Sequence, residues 1–332
     1  MSASCLPANE DMSTIAEHMA DGTASAESMR STLLRLAETG ESGPDLLAFA
    51  QAFRARSVPV YTRHAAVMDL CGTGGASFRT FNVSTVASFV VAGCGVPVAK
   101  HGNRSANGIC GSADLMAQLG VDIMMSPRTA GRLLDRHGIT FLYAPNYHPA
   151  LRHVAPVRKE LRRRTLFNVL GPLLNPVRTE RRQLIGVADP RLLEIIPSLL
   201  PCIGVERAAL VHGHPGMDEL STLGTSVMVE VRCGQEREST IDPATYSLPV
   251  PPKDSVMEMP PERAAALALE VLAGHPSPLS DMVTLNSAAA LKVFGRAKDL
   301  SDGLEMAKES LASGAALEKL GSLIRGSREG GR

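Results

Sequence analysis

Residues 67 to 92 constrain this chain most. The short apolar run Val67 to Leu70 is followed by Gly72, Gly74 and Gly75, and then by Asn82-Val83-Ser84-Thr85, which opens the apolar stretch Val86 to Ala92. A strand, a glycine turn and a capped helix start bring backbone N–H groups and the positive end of a helix dipole to one point. Phosphate is the default ligand of such a point, although the same glycines would also serve a tight structural turn. Two common phosphate motifs are excluded by inspection. G-x-G-x-x-G requires glycine at position 77, which is Ser77, and the Gly-Lys-Ser/Thr of a Walker loop is absent. Dinucleotide binding and ATP cleavage are therefore not expected.

The rest of the chain continues the alternation. Apolar runs at Val67 to Leu70, Val96 to Ala99, Thr140 to Tyr143, Ala208 to His212 and Ser226 to Val231 are separated by helical segments, as in an α/β sheet with crossover helices. Ser126-Pro127 marks a helix start, and Ala264 to Ala273 and Asn286 to Phe294 read as helices. Residues 10 to 66 carry apolar positions at helical spacing, interrupted by Gly40, Gly43 and Pro44, with no strand signal. This predicts a small helical domain over residues 1–66, its first nine residues loose, and an α/β domain over 67–325. The proline-rich residues 239 to 262 read as a surface excursion, and 326–332 as a disordered tail. The pair Arg181-Arg182 reads as surface charge.

A second polar loop sharpens the functional reading. In VAKHGNRSANGICGSADLMAQLG, residues 98 to 120, Lys100, His101, Asn103, Arg104, Ser105 and Asn107 crowd between a strand and a helix. Together the two loops would surround a ligand carrying several phosphates. Lys plus Arg and Asp plus Glu are both 34, so no overall basic field exists to hold a nucleic acid, and the phosphates must be held locally. The absence of tryptophan and an aromatic content of 4% also argue against a nucleic-acid-binding protein. The six cysteines form no CxxC pair, and neither a signal peptide nor a membrane-spanning run is present, so a soluble cytoplasmic protein is expected.

These loops carry a family resemblance. Gly72-Thr73-Gly74-Gly75, Thr80-Phe81-Asn82-Val83-Ser84-Thr85, Lys100-His101-Gly102-Asn103-Arg104-Ser105 and Gly111-Ser112-Ala113-Asp114 resemble the signature loops of anthranilate phosphoribosyltransferases. The resemblance continues through Ala144 to Pro149, Val157-Arg158-Lys159, Phe167 to Pro176, Arg182 to Gly186, Asp218-Glu219 and Asn286 to Leu291, covering about residues 25 to 320. It implies a homodimer with a small all-helical domain, completed by a segment near 155–180, and a larger α/β domain with a central, mostly parallel sheet. The active site would lie in the cleft between them. It also implies transfer of the phosphoribosyl group of 5-phosphoribosyl 1-diphosphate to the amine of anthranilate, with magnesium (Mg2+), in tryptophan biosynthesis. Neither nucleic acid nor membrane is expected as a partner.

By that resemblance, Gly72, Thr73, Gly74, Gly75, Ala76, Thr80, Asn82, Val83, Ser84, Thr85, Lys100, Asn107 and Ser112 bind phosphoribosyl diphosphate. Gly72, His101, Asn103, Arg158, Gly171 and Pro172 surround anthranilate, with Arg158 on its carboxylate. Ser84, Asp218 and Glu219 offer hard oxygen ligands suited to magnesium. No side chain is expected to transfer a proton, because an aryl amine is already neutral at pH 7; positioning and electrostatics carry the rate. Two departures stand out. The family's glycine loop normally ends in aspartate, and here it ends in Ala76. Where relatives usually carry serines and often a lysine, this chain has Asn107, Gly108, Ile109 and Cys110. A transferase or phosphorylase of the same fold acting on another aromatic amine or base is the alternative these departures leave open.

Overall fold

The structure is a computed structural model that describes residues 10–105 and 108–329. The first nine residues, expected to be loose, and Asn107 lie outside the described residues. The chain opens with three helices, α1 (Glu10–Asp21), α2 (Ala26–Thr39) and α3 (Gly43–Ala55). Ser25 caps α2 by accepting from Ser28 N–H, and Ser42 with Asp45 forms a capping box at α3, so these helix starts are locally encoded. There follow β1 (Ala66–Gly72), α4 (Val83–Gly93), β2 (Val98–Gly102), α5 (Ser112–Gln118), α6 (Pro127–His137) and β3 (Ile139–Tyr143). Next come α7 (Ala144–Tyr147), α8 (Leu151–Leu161), β4 (Glu180–Gly186), α9 (Leu192–Ile195), β5 (Arg207–Gly213), β6 (Ser226–Arg232) and β7 (Gln235–Ile241). Four helices close the chain: α10 (Pro261–Leu272), α11 (Pro278–Phe294), α12 (Leu300–Ala312) and α13 (Ala315–Arg328).

The strands form one seven-stranded sheet in the order β3-β2-β1-β4-β5-β6-β7. The first five are parallel and the last two antiparallel, the mostly parallel α/β sheet expected. Its two faces bury separate cores because side chains alternate along a strand. Leu184, Ala209, Val211 and Met228 join the core under α4, α11 and α13, whereas Ile185, Ala208, Leu210 and Val229 join the core that contains α1 to α3. The segment from α8 through Leu174 shares that second core, with α8 packed on α1 and α2. The helical layer thus rests directly on one face of the sheet. No helix among the described residues is long and apolar enough to cross a membrane.

Several expectations need correction. Arg181 is not surface charge but fully buried in β4, where its guanidinium donates to the Ile203 carbonyl. The disordered tail does not begin at 326, because α13 continues through Arg328. Ser327 is buried and its hydroxyl accepts from Asp122 N–H at 3.0 Å, and Arg328 donates to the Gly120 carbonyl at 2.7 Å. Residues 330–332 lie outside the described residues. The surface excursion starts at 242 rather than 239, since Ser239, Thr240 and Ile241 pair with β6.

Candidate active site

The connection after β1 leads to β2 on one side, while β4 lies on the other. This is the switch point where open α/β sheets leave a crevice beyond the strand ends. A cavity of about 390 Å³ opens there. Gly72 and Gly186 end β1 and β4 in register, and both are required by the close approach of Asp218. A Cβ on Gly72 would stand 2.6 Å from Asp218 Oδ2, and one on Gly186 would overlap the Asp218 carbonyl oxygen. Gly74 N–H donates to Asp218 Oδ2 at 3.0 Å and Thr73 N–H to the Gly186 carbonyl at 2.8 Å. Two amides of the glycine loop are therefore committed to the protein itself and not offered to a ligand.

Asp218 and Glu219 stand side by side in the chain, and Thr80 Oγ1 donates to Glu219 Oε2 at 3.0 Å. Burial raises both carboxyls above their ordinary range, Glu219 well above it because Asp218 stands beside it. The pair thus favours a shared proton, which a cation would replace. Its oxygens suit a hard divalent ion. Among the described residues no group of three or more His, Cys, Asp or Glu could hold a metal unaided. Two carboxylates with waters and substrate phosphates are the ordinary set for magnesium, and the site fits that ion.

Lys100 projects from β2, is 2% exposed, and donates to the Leu70 carbonyl at 2.5 Å and to Ser84 Oγ at 3.4 Å. Burial lowers its pKa, while Asp69 and Glu219 act in the opposite direction. Asp69, in the middle of β1, points elsewhere: it accepts from His101 N–H at 3.1 Å and Asn175 Nδ2 at 2.9 Å, tying β1 to β2 and to the chain before β4. Asn82 precedes α4 but makes no side-chain cap, which corrects the capped start expected there. Its Nδ2 instead donates to the Cys110 carbonyl at 3.0 Å and joins the two loops. Ser112, opening α5, exchanges hydrogen bonds with the Asn103 backbone at 3.1 and 3.2 Å.

At the other end of the cavity, His101 Nδ1 lies 3.1 Å from the Gly171 carbonyl and its Nε2 3.1 Å from His148 Nε2. Burial lowers both imidazoles, His148 well below its ordinary value, so the pair is neutral near pH 7. Arg158, on α8, stacks over the Phe167 ring at 5.2 Å and has no acidic or hydrogen-bonded partner among the described residues. Burial lowers its pKa. An unpaired guanidinium lining a cavity is a receptor for a carboxylate.

Gly72, Thr73, Gly74, Gly75, Ala76, Thr80, Asn82, Ser84, Thr85, Lys100, His101, Asn103, Ser112, Arg158, Gly171, Asp218 and Glu219 all line this one cavity. Val83 and Pro172 do not. Val83 packs into the core below α4 with Phe81, and Pro172 is buried with its carbonyl accepting from Gln183 Nε2 at 2.7 Å. His148, Phe167, Arg79 and Glu258 also line the cavity and were not singled out from sequence. His148 lay within the Ala144 to Pro149 motif, but Glu258, in the proline-rich excursion, carried no local signal.

Residues 64–317 match the model of the glycosyl transferase family, a/b domain, which places the chain in that class of transferases. The anthranilate phosphoribosyltransferase of Desulforudis audaxviator is 44% identical over 319 residues, spanning 96% of this chain and 92% of that one. That of Pelotomaculum thermopropionicum is 40% identical over 95% and 91%. Among solved structures, anthranilate phosphoribosyltransferase from Thermus thermophilus superposes with a TM-score of 0.90 at 37% identity, covering 96% of this chain and 95% of that one. The Saccharomyces cerevisiae enzyme in complex with phosphoribosyl diphosphate and Mg gives 0.84 at 28%, covering 92% and 86%. The chain belongs to the anthranilate phosphoribosyltransferase family.

Proposed function

We propose that this chain transfers the 5-phosphoribosyl group of 5-phosphoribosyl 1-diphosphate to the amine of anthranilate, giving N-(5-phosphoribosyl)anthranilate and diphosphate. The observation that carries this reading is one cavity with two unlike ends. At one end stand the buried Lys100 and the Asp218-Glu219 pair, and at the other the unpaired Arg158. The first end suits a diphosphate with its cation, the second an aromatic carboxylate.

Ser84, Asp218 and Glu219 would hold Mg2+, which supplies positive charge against the departing diphosphate. Lys100 adds fixed charge in a site where burial strengthens it. Arg158 holds the anthranilate carboxylate, and its stacking on Phe167 fixes the plane of the guanidinium. Asn103, Gly171 and the neutral His101-His148 pair shape the wall beside the ring. The amine attacks the anomeric carbon as the bond to diphosphate breaks, and the nitrogen then loses a proton to water or to the departing diphosphate; it is neutral before attack, so no strong base is needed. Orientation of the two substrates lowers the barrier.

The small helical domain assigned to 1–66 reaches the anthranilate side of the cleft through its 155–180 segment, with Arg158 and Phe167, and the α/β portion supplies the diphosphate side, in a cytoplasmic homodimer whose mass light scattering would check. Mixing purified protein with phosphoribosyl diphosphate, Mg2+ and anthranilate should extinguish anthranilate fluorescence. Ala76 lines the cavity at the position where the family resemblance implies aspartate, and it favours a second reading with another aromatic amine as acceptor. Turnover of such an amine, and none of anthranilate, would establish that second reading.

A further inference from the structure

The proline-rich chain between β7 and α10 returns to the cavity. Phe81 N–H donates to the Val256 carbonyl at 2.9 Å, Glu258 N–H donates to the Arg79 carbonyl at 3.0 Å, and Thr80 bridges Met257 antiparallel. This short ladder fixes the Glu258 backbone beside the link from the glycine turn to α4. The side chain then reaches the second loop. Its Oε1 accepts from Ile109 N–H at 2.5 Å and Cys110 N–H at 3.0 Å, and Oε2 lies 3.9 Å from Arg79 Nη1. Arg79, Cys110 and Glu258 all line the cavity. Successive amides converging on one oxygen beside a guanidinium make an anion receptor. Here the protein's own carboxylate occupies it.

A second carboxylate on this loop plays a different part. Asp114 accepts from Ser105 and Gly111 N–H, each at 3.0 Å, and pairs with Arg104 at 2.6 Å. It belongs to the first turn of α5 and shapes that helix start. Glu258 comes from 148 residues away and meets the loop amides through its side chain. Rotation about its side-chain bonds frees both amides and leaves the backbone ladder to residues 79–81 unbroken.

We propose that Glu258 is an internal competitor for the phosphate-bearing substrate: it holds the Ile109 and Cys110 amides and faces the Arg79 guanidinium until phosphate oxygens displace it. The inference rests on the reading of this cavity as a phosphoribosyl diphosphate site. It assigns Glu258 a role in setting affinity for the polyanion, because the carboxylate both occupies the donors and repels the incoming charge.

Calorimetric titration with inorganic diphosphate, with Mg2+ present and anthranilate absent, separates the possibilities in wild type, Glu258→Gln and Glu258→Ala. Both variants should bind diphosphate about ten-fold more tightly, a change of roughly 1.4 kcal/mol. The KM for phosphoribosyl diphosphate should fall in parallel, with the KM for anthranilate unchanged. Equal or weaker diphosphate binding by both variants would overturn the role of Glu258 and make it a clasp that organises the loop, with the cavity still an anion site. No diphosphate binding by any of the three would overturn the reading of the cavity as well.

Discussion

Replacing Arg158 tests the division of the cavity into two ends. The guanidinium has a stacking partner in Phe167 but no charge partner among the described residues, and burial lowers its pKa. An anthranilate carboxylate would relieve that unfavourable state. Hydrogen bonds to a charged group contribute about 1.5–3 kcal/mol, so Arg158→Ala should raise the KM for anthranilate roughly 10- to 150-fold. The loss to the fold is smaller, about 0.5–1 kcal/mol for the ring contact, so the melting curve should barely move. Arg158→Lys keeps the charge without the planar fork and should fall between. Initial rates from anthranilate fluorescence, with each substrate varied in turn, give both KM values. Aniline, which lacks the carboxylate, should be used equally poorly by wild type and Arg158→Ala. Lys100→Met should show the converse pattern, raising the KM for phosphoribosyl diphosphate with that for anthranilate unchanged. Equal rises in both KM values for Arg158→Ala, or an undiminished advantage of anthranilate over aniline, would refute the carboxylate clamp.

Three further outcomes follow from the metal end. Gly72→Ala places a methyl carbon 2.6 Å from Asp218 Oδ2 and must push that carboxylate aside; Mg2+ affinity should weaken about ten-fold or more, read by activity against free Mg2+, and an unchanged curve would detach Asp218 from the metal. Because burial raises the Asp218 and Glu219 pKa values in the folded chain, their contribution to metal-free stability is complete below the ordinary carboxylate range and is lost as pH rises through the raised values. Melting temperatures should accordingly fall over that rise, Mg2+ should restore them, and Glu219→Gln should flatten the profile; a wild-type profile that is already flat would contradict the shared proton. Ala76→Asp adds a carboxylate to the cavity wall and should shift the Mg2+ dependence of the rate; no shift would mean that position 76 does not face the metal.

Much of the fold is written in local apolar runs, and its two exceptions have different causes. β1, β3, β5 and β6 each contain four or more successive residues that read as strand, and β2 begins within the run Val96 to Ala99 and extends past it to Gly102, whereas β4 begins Glu-Arg-Arg-Gln. It nevertheless lies at the centre of the sheet. Arg181 and Gln183 are fully buried there because the Ile203 and Pro172 carbonyls accept their hydrogen bonds, and such remote partners leave no trace at positions 181 and 183. β7, with the sequence Gln-Glu-Arg-Glu-Ser-Thr-Ile, escaped for the opposite reason. It is an edge strand exposed over most of its length, so nothing in its own residues needs to be apolar.

The site was legible where the chain repeats a family pattern and opaque where distant segments meet. Lys100, Asn103 and Arg158 fall in stretches that resemble the family and line the cavity, while Glu258 reaches it from a stretch whose prolines suggested only a surface excursion. Gly72 shows why composition alone misassigns a role. A glycine after a strand suggests space for a ligand, and here that space is filled by the Asp218 carboxylate, itself held by Gly74 N–H. The bare backbone therefore acts on phosphate at one remove: it admits the acid that suits the cation, and the cation would meet the diphosphate. A side chain at Gly72 would damage metal binding before it touched any substrate atom, a distinction invisible until residues 72 and 218 are seen together.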